Sequence, residues 1–242
     1  MFELIKARKA FSKGEKDTAK KHLQTLLNRK PNEEAYVLYA YQLVKDGEEK
    51  AALALFEEKI LPFYEKEVKV LKAQITEKNK FKNERKISRS EINVFTNYAL
   101  VLWQSGNREK AVKVTEELFD KYKTTMIYGN LSYYYVLSGE LEKAESCALE
   151  GYNFSPDDMT ILDNLGYIFY LKGDYGKSEE YYQKLISKNP TFPDAWYNYA
   201  NTLLALEKKD EAKQNLSKCL ECNFSALTLA KKNEVDKLYN SL

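Results

Sequence analysis

A triplet of small residues at fixed spacing recurs along this chain with a period of about 34 residues, and it restricts the fold more than any other feature. A small residue is followed seven positions later by glycine and five after that by alanine or serine. Ala7, Gly14 and Ala19 form the first copy, Ala40, Gly47 and Ala52 the second, and Ala99, Gly106 and Ala111 the third. Ser132, Gly139 and Ala144 keep the spacing, as do Gly166, Gly173 and Ser178, while Ala200 and Ala212 keep both ends with Glu207 in place of the glycine. A unit this short cannot bury a hydrophobic face alone, so neighbouring copies stack and share a core, as a solenoid. Such an array presents extended surface, which points to binding and away from an enclosed active site.

Each glycine falls where an apolar helical pattern lapses, as in Trp103-Gln-Ser-Gly106 and Leu171-Lys-Gly173. Glycine takes a left-handed conformation cheaply, so it closes one helix and lets the next begin at once. Every unit therefore reads as a helical hairpin whose small residues face each other, since helices approach closely only where side chains are short. Lys30-Pro31, Ser155-Pro156 and Asn189-Pro190 end second helices, because proline disfavours helix in the residue before it. Asn32 and Asp157-Asp158 then suit the start of a new helix, and Ser88 with Glu91 reads as a capping box.

With 38 basic and 36 acidic side chains the net charge is +2, so no strong overall field steers the molecule to nucleic acid or an acidic membrane. The charged opening excludes a secretory segment, no apolar run approaches membrane-spanning length, and a cytoplasmic protein is expected. Three cysteines make no disulfide framework, and Cys219-x-x-Cys222 lacks the second Cys or His pair that zinc needs; it reads as small apolar residues on one side of a helix. His22 is the sole histidine. With no phosphate-binding or dinucleotide glycine motif either, catalytic residues, cofactors and metals are all expected to be absent.

Residues 162–190, from Leu162-Asp-Asn-Leu-Gly166 through Gly173-Asp-Tyr-Gly-Lys-Ser178 to Tyr182 and Asn189-Pro190, resemble the tetratricopeptide repeat nearly throughout, and Trp196 opens the last copy. The resemblance covers most of the chain in six units, at 1–32, 33–66, 92–124, 125–158, 159–192 and 193–226. It implies an all-α fold, a right-handed superhelical solenoid of antiparallel helix-turn-helix repeats whose first helices line a concave groove. Residues 1–66 would form two repeats and 92–226 four. Residues 227–242, carrying Leu227, Ala230, Val235 and Leu238, would be a C-terminal capping helix. Between the two sets of repeats lies an insert, 67–91, whose stripe of Tyr64, Val68, Leu71 and Ile75 predicts an amphipathic helix after Pro62. The insert then turns basic at Lys78, Lys80, Lys82, Arg85, Lys86 and Arg89, which suits either an acidic partner or nucleic acid, or a plain solvated helix end.

Asn97, Asn130, Asn164 and Asn198 each stand two residues before a small slot, a place the resemblance puts beside the groove. An amide both donates and accepts, so such a row can pair with an extended peptide backbone, or it can brace neighbouring helices. The groove would also receive Trp103, Tyr133, Tyr167, Tyr170, Tyr197 and Asn201. Tyr133-Tyr134-Tyr135 fan around one helix and cannot all enter one core, which leaves at least one for recognition. Thr96, Gly129, Asp163 and Tyr197 stand where chaperone-tail-binding members carry basic clamps; none is basic, and Asp163 would repel a carboxylate. The expected function is a non-enzymatic scaffold or adaptor, monomeric or weakly self-associating, that holds a protein or peptide. The alternatives are a sensor of short free peptides, or nucleic-acid or acidic-partner binding through the insert.

Overall fold

The computed structural model describes residues 2–242 and is all-α, with no strand among the described residues. The chain forms two compact units, Met1–Val114 and Thr115–Leu242. The first contains α1 (Phe2–Ser12), α2 (Lys16–Arg29), α3 (Glu33–Lys45), α4 (Glu49–Leu55), a π-helical turn (Phe56–Ile60), α5 (Leu61–Ala73) and α6 (Lys80–Gln104). The division falls inside α7 (Arg108–Lys121). The second unit continues with α8 (Thr125–Leu137), α9 (Leu141–Phe154), α10 (Met159–Leu171), α11 (Tyr175–Ile186), α12 (Pro193–Ala205), α13 (Lys209–Glu221) and α14 (Lys232–Ser241).

One turn is repeated six times. Gly14, Gly47, Gly106, Gly139 and Gly173 sit at φ between 77° and 84°, and Glu207 takes the same place at φ 62°. The residue after each donates its N–H to a carbonyl five residues back, from Glu15 to Ala10, Glu48 to Leu43, Asn107 to Leu102, Glu140 to Tyr135, Asp174 to Phe169 and Lys208 to Leu203, all at 2.8–2.9 Å. This closure satisfies the last carbonyls of the first helix and releases the chain directly into the second. The small residues on either side are sealed: Ala7, Ala19, Ala40, Ala52, Ala99, Ala111, Ser132, Ala144, Ser178, Ala200 and Ala212 are all 0% exposed. At Gly166 the approach is closest, since an added Cβ would stand 2.7 Å from the buried Tyr182 ring.

Second helices end as the prolines require. Lys30 and Ser155 are extended beyond α2 and α9, and Asn189 turns left-handed at φ 51°. Asn32 caps α3 by accepting from Ala35 N, and Asp158 caps α10 by accepting from Thr160 N and Ile161 N at 3.0 and 3.2 Å. Asp157 instead pairs with Lys188 at 2.6 Å.

Between Lys45 and Ser105 the structure differs from the expectation of a new helix start at Ser88. That residue lies inside the 25-residue α6, and its hydroxyl bonds back to Glu84 O at 3.0 Å. The stretch 67–91 is built mostly from two helix extensions, α5 running on from the second hairpin and α6 starting early. A turn at 74–79 joins them, pinned by Asn79, which accepts from Thr76 N and donates to Gln74 O. Pro62 does not break the helix because the π-helical turn just before it absorbs the clash of its ring, with Leu61 N bonding to Phe56 O. Ile75 falls in the turn, past the end of α5. Tyr64 meets Phe95 edge-on at 5.3 Å, which anchors α5 against α6.

Each unit has its own core. In the first, Leu4, Ala7, Leu23 and Ala35 pack together, and Asp46 ties the two hairpins by accepting from Lys16, Lys20 and Gln42 at 2.7–3.0 Å. His22 sits on a helix face with Nδ1 2.6 Å from Glu3. In the second, Tyr182, Leu185, Tyr199, Leu203, Leu216 and Cys219 form a core that Ala230 and Val235 complete from the C-terminal segment.

Candidate functional site

Spacings of three and four residues place side chains in one stripe along a helix, and in the second unit three first helices each carry such a stripe. Asn130 and Tyr133 lie on α8, Asp163, Tyr167 and Tyr170 on α10, and Asp194, Tyr197, Asn198 and Asn201 on α12, with α10 in contact with both other helices. Tyr133, Tyr167, Tyr170, Tyr197, Asn130 and Asn201 are half-buried, whereas Tyr134 and Tyr135 are buried. Tyr167 and Tyr170 stack at 6.4 Å with ring planes 12° apart.

The stripes meet at Asp163. The Tyr182 hydroxyl donates to the Asp163 backbone carbonyl at 3.4 Å, whereas the side-chain Oδ1 of Asp163 is buried without a hydrogen-bond partner. Burial and the nearby Asp194 charge push Asp163 up to about 7, and the neighbouring Asn198 and Tyr182 side chains offset this only in part. Asp194 accepts from Leu229 N and Ala230 N at 3.2 and 2.7 Å, so it holds the segment leading to α14, and burial raises it as well. Both carboxylates act on the Tyr133 and Tyr167 phenols, whose pKa values burial already raises. No Lys or Arg acts on Asp163, and only Lys231 acts on Asp194.

The asparagine row is not uniform. Asn164 is a brace: its Nδ2 donates to Gly129 O at 2.7 Å and Ser132 Oγ at 2.9 Å, joining α10 to α8. Asn198 is buried, and Asn97 donates to Asn93 O on its own helix at 2.8 Å. Asn130 keeps its amide out of such bonds. Asn97 and Trp103 belong to the first unit, where Trp103 is buried with the Arg108 guanidinium 5.4 Å from its ring centroid. Sequence reading assigned neither Asp194 nor Tyr182 to the site, because only the packing of three helices brings them to Asp163.

In the first unit Lys80, Lys82, Arg85 and Lys86 are all exposed on the first turns of α6, beside Phe81 at 79% exposure. Lys86 and Arg89 reach a groove of about 780 Å³ whose apolar wall is Phe63, Val68 and Leu71. Burial pushes the Cys147 and Cys219 thiols up to about 12, so neither is poised as a nucleophile. No cluster of metal-ligating side chains and no helix long and apolar enough to cross a membrane occurs among the described residues.

Two models of the tetratricopeptide repeat match residues 160–192 and 181–214, which include α12 and nearly all of α10. The chain is a tetratricopeptide repeat protein. An uncharacterized protein of Methanocaldococcus jannaschii is 40% identical to this repeat protein over 70 residues, 29% of this chain and 72% of the archaeal one. Among solved structures, a thermophilic tetratricopeptide repeat protein of Thermus thermophilus aligns with a TM-score of 0.62 at 20% identity, over 87% of this chain and 98% of that one. A tetratricopeptide repeat protein of Parabacteroides merdae aligns with a TM-score of 0.53 at 13% identity, over 98% and 96%. Both likenesses are of fold, an all-α repeat solenoid.

Proposed function

We propose that this tetratricopeptide repeat protein is a non-enzymatic scaffold that binds an extended segment of a partner protein along α8, α10 and α12. The observation that carries this reading is the row of half-buried phenols and amides, Asn130, Tyr133, Tyr167, Tyr170, Tyr197 and Asn201, on one stripe of adjacent first helices. Tyrosine gives broad contact area with a polar tip at little entropic cost, and an unengaged amide can pair with a peptide backbone in both senses.

Affinity capture from an extract of the producing cells, with the native chain beside an Asn130→Ala, Tyr170→Ala, Asn201→Ala variant, tests the reading. All three side chains are half-buried and absent from the core, so helicity and melting temperature should stay close to native while partner capture falls by about tenfold or more. Undiminished capture by the folded variant would rule this face out.

A further inference from the structure

The chain treats two of its carboxylates, Asp46 and Asp163, differently. Asp46 is surrounded by two ammonium groups and an amide, and although burial works against its ionisation these partners hold it down at about 2. The Asp163 carboxylate is far more deeply buried than that of Asp46, has a second carboxylate near it in Asp194, and receives no cation. Lys231, the one cation acting on Asp194, spends its ammonium on Thr228 O at 2.7 Å. Charged groups taken out of water are ordinarily paired and fully hydrogen-bonded, because each lone pair left unsatisfied costs its desolvation. Asp163 Oδ1 breaks that rule, while the residue as a whole keeps partial contact with solvent.

The groups around it describe what is missing. Two carboxylates offer charge-assisted acceptors, and the phenols of Tyr133 and Tyr167 stand close enough to feel both charges. We propose that Asp163 and Asp194, walled by Tyr133 and Tyr167, seat a cationic side chain, lysine or arginine, of the bound segment. This inference rests on the reading that α8, α10 and α12 bind peptide, and it gives that face a sequence preference: the partner presents a basic residue to the second unit. It also accounts for Asp163 standing where a carboxylate-binding clamp would need a base, since the polarity of recognition is reversed.

The probe is a set of fluorescein-labelled short peptide pools, random except for a central lysine, arginine, norleucine or glutamate, titrated into the full chain and into Asp163→Asn. Lysine and arginine pools should bind the native chain about tenfold more tightly than the norleucine pool, with glutamate weakest, and the preference should collapse in Asp163→Asn. If all pools bind the native chain equally, the cation seat is wrong and Asp163 is a protonated structural group, while the peptide-binding reading stands. Failure of every pool to bind removes both. Norleucine keeps the lysine stem without its charge, so the comparison on the native chain decides even if the variant folds poorly.

Discussion

Glu207 occupies, at φ 62°, the backbone position that glycine holds in the five earlier turns. A side chain with a Cβ strains there, and the following Lys208 N still reaches Leu203 O at 2.9 Å, so the turn is made at a conformational cost. Glu207→Gly should raise the unfolding free energy by about 1 kcal/mol, read as a higher denaturation midpoint at unchanged slope. The opposite holds at Gly166. Alanine would improve helix propensity by about 1 kcal/mol, but its Cβ would stand 2.7 Å from the ring of Tyr182, which is 0% exposed and cannot swing away. Gly166→Ala should therefore destabilise by roughly 1–3 kcal/mol, and a neutral or stabilising result in urea melts would show that α10 and α11 can part without penalty.

At the scale of elements, the junctions between helices differ in how their polar groups are satisfied. In the second unit Ser178 Oγ donates to Gly166 O and lies 2.8 Å from Thr202 Oγ1, a hydroxyl chain linking α10, α11 and α12 where other repeats place alanine. Asp163 is the counterexample at the same helices. Folded Asp163 holds its proton to about pH 7, whereas the unfolded chain releases it near 3.8, so the folded state binds more protons throughout that interval. Its contribution is most favourable below pH 4 and is lost as pH rises through 7. Asp46, depressed to about 2, acts only at more acidic pH and does not mask the effect. Asp163→Asn should flatten the fall in stability between pH 4 and 7 and leave the variant more stable than the native chain at pH 8, by roughly a few kcal/mol in thermal or urea melts. A native pH profile already flat in this window would mean that Asp163 is ionised in the fold.

Over the whole molecule, a stack of hairpins needs its last core face covered, and α14 does this for the second unit. Val235 is 0% exposed and Ala230 1% exposed against Leu216 and Cys219, and Asp194 grips the segment through Leu229 N and Ala230 N. Removing residues 227–242 opens that core to water, and losing a fully buried valine alone is worth about 1.5–3 kcal/mol. The Cys219 thiol reports the loss directly. It is sealed in the intact chain with its pKa pushed up to about 12, and should react with a thiol reagent far faster after truncation. Equal labelling rates would show that α14 does not cover the stack.

The repeat count, the hairpin turns, the sealed small positions and the proline stops were all legible in the chain, because each is decided by steric rules acting within a few residues. Gly14, Gly47, Gly106, Gly139 and Gly173 announce their turns by lacking a Cβ, and Ala144 or Ala200 announce a helix crossing by their size. The Ser88 capping signal misled for the same reason. It is a local signature, and it lost to the packing of α6 along α5, which keeps the helix going through it. The candidate site was legible only as a stripe. Asn130 and Asn164 are the same residue at the same repeat position, yet one keeps its amide unengaged and the other braces α8 against α10. Sequence determined which faces the helices would present. Tertiary structure alone decided which amides were consumed, and that Asp163 would be enclosed with no cation, because the cost of burying a polar group depends on what the neighbouring helices bring to it.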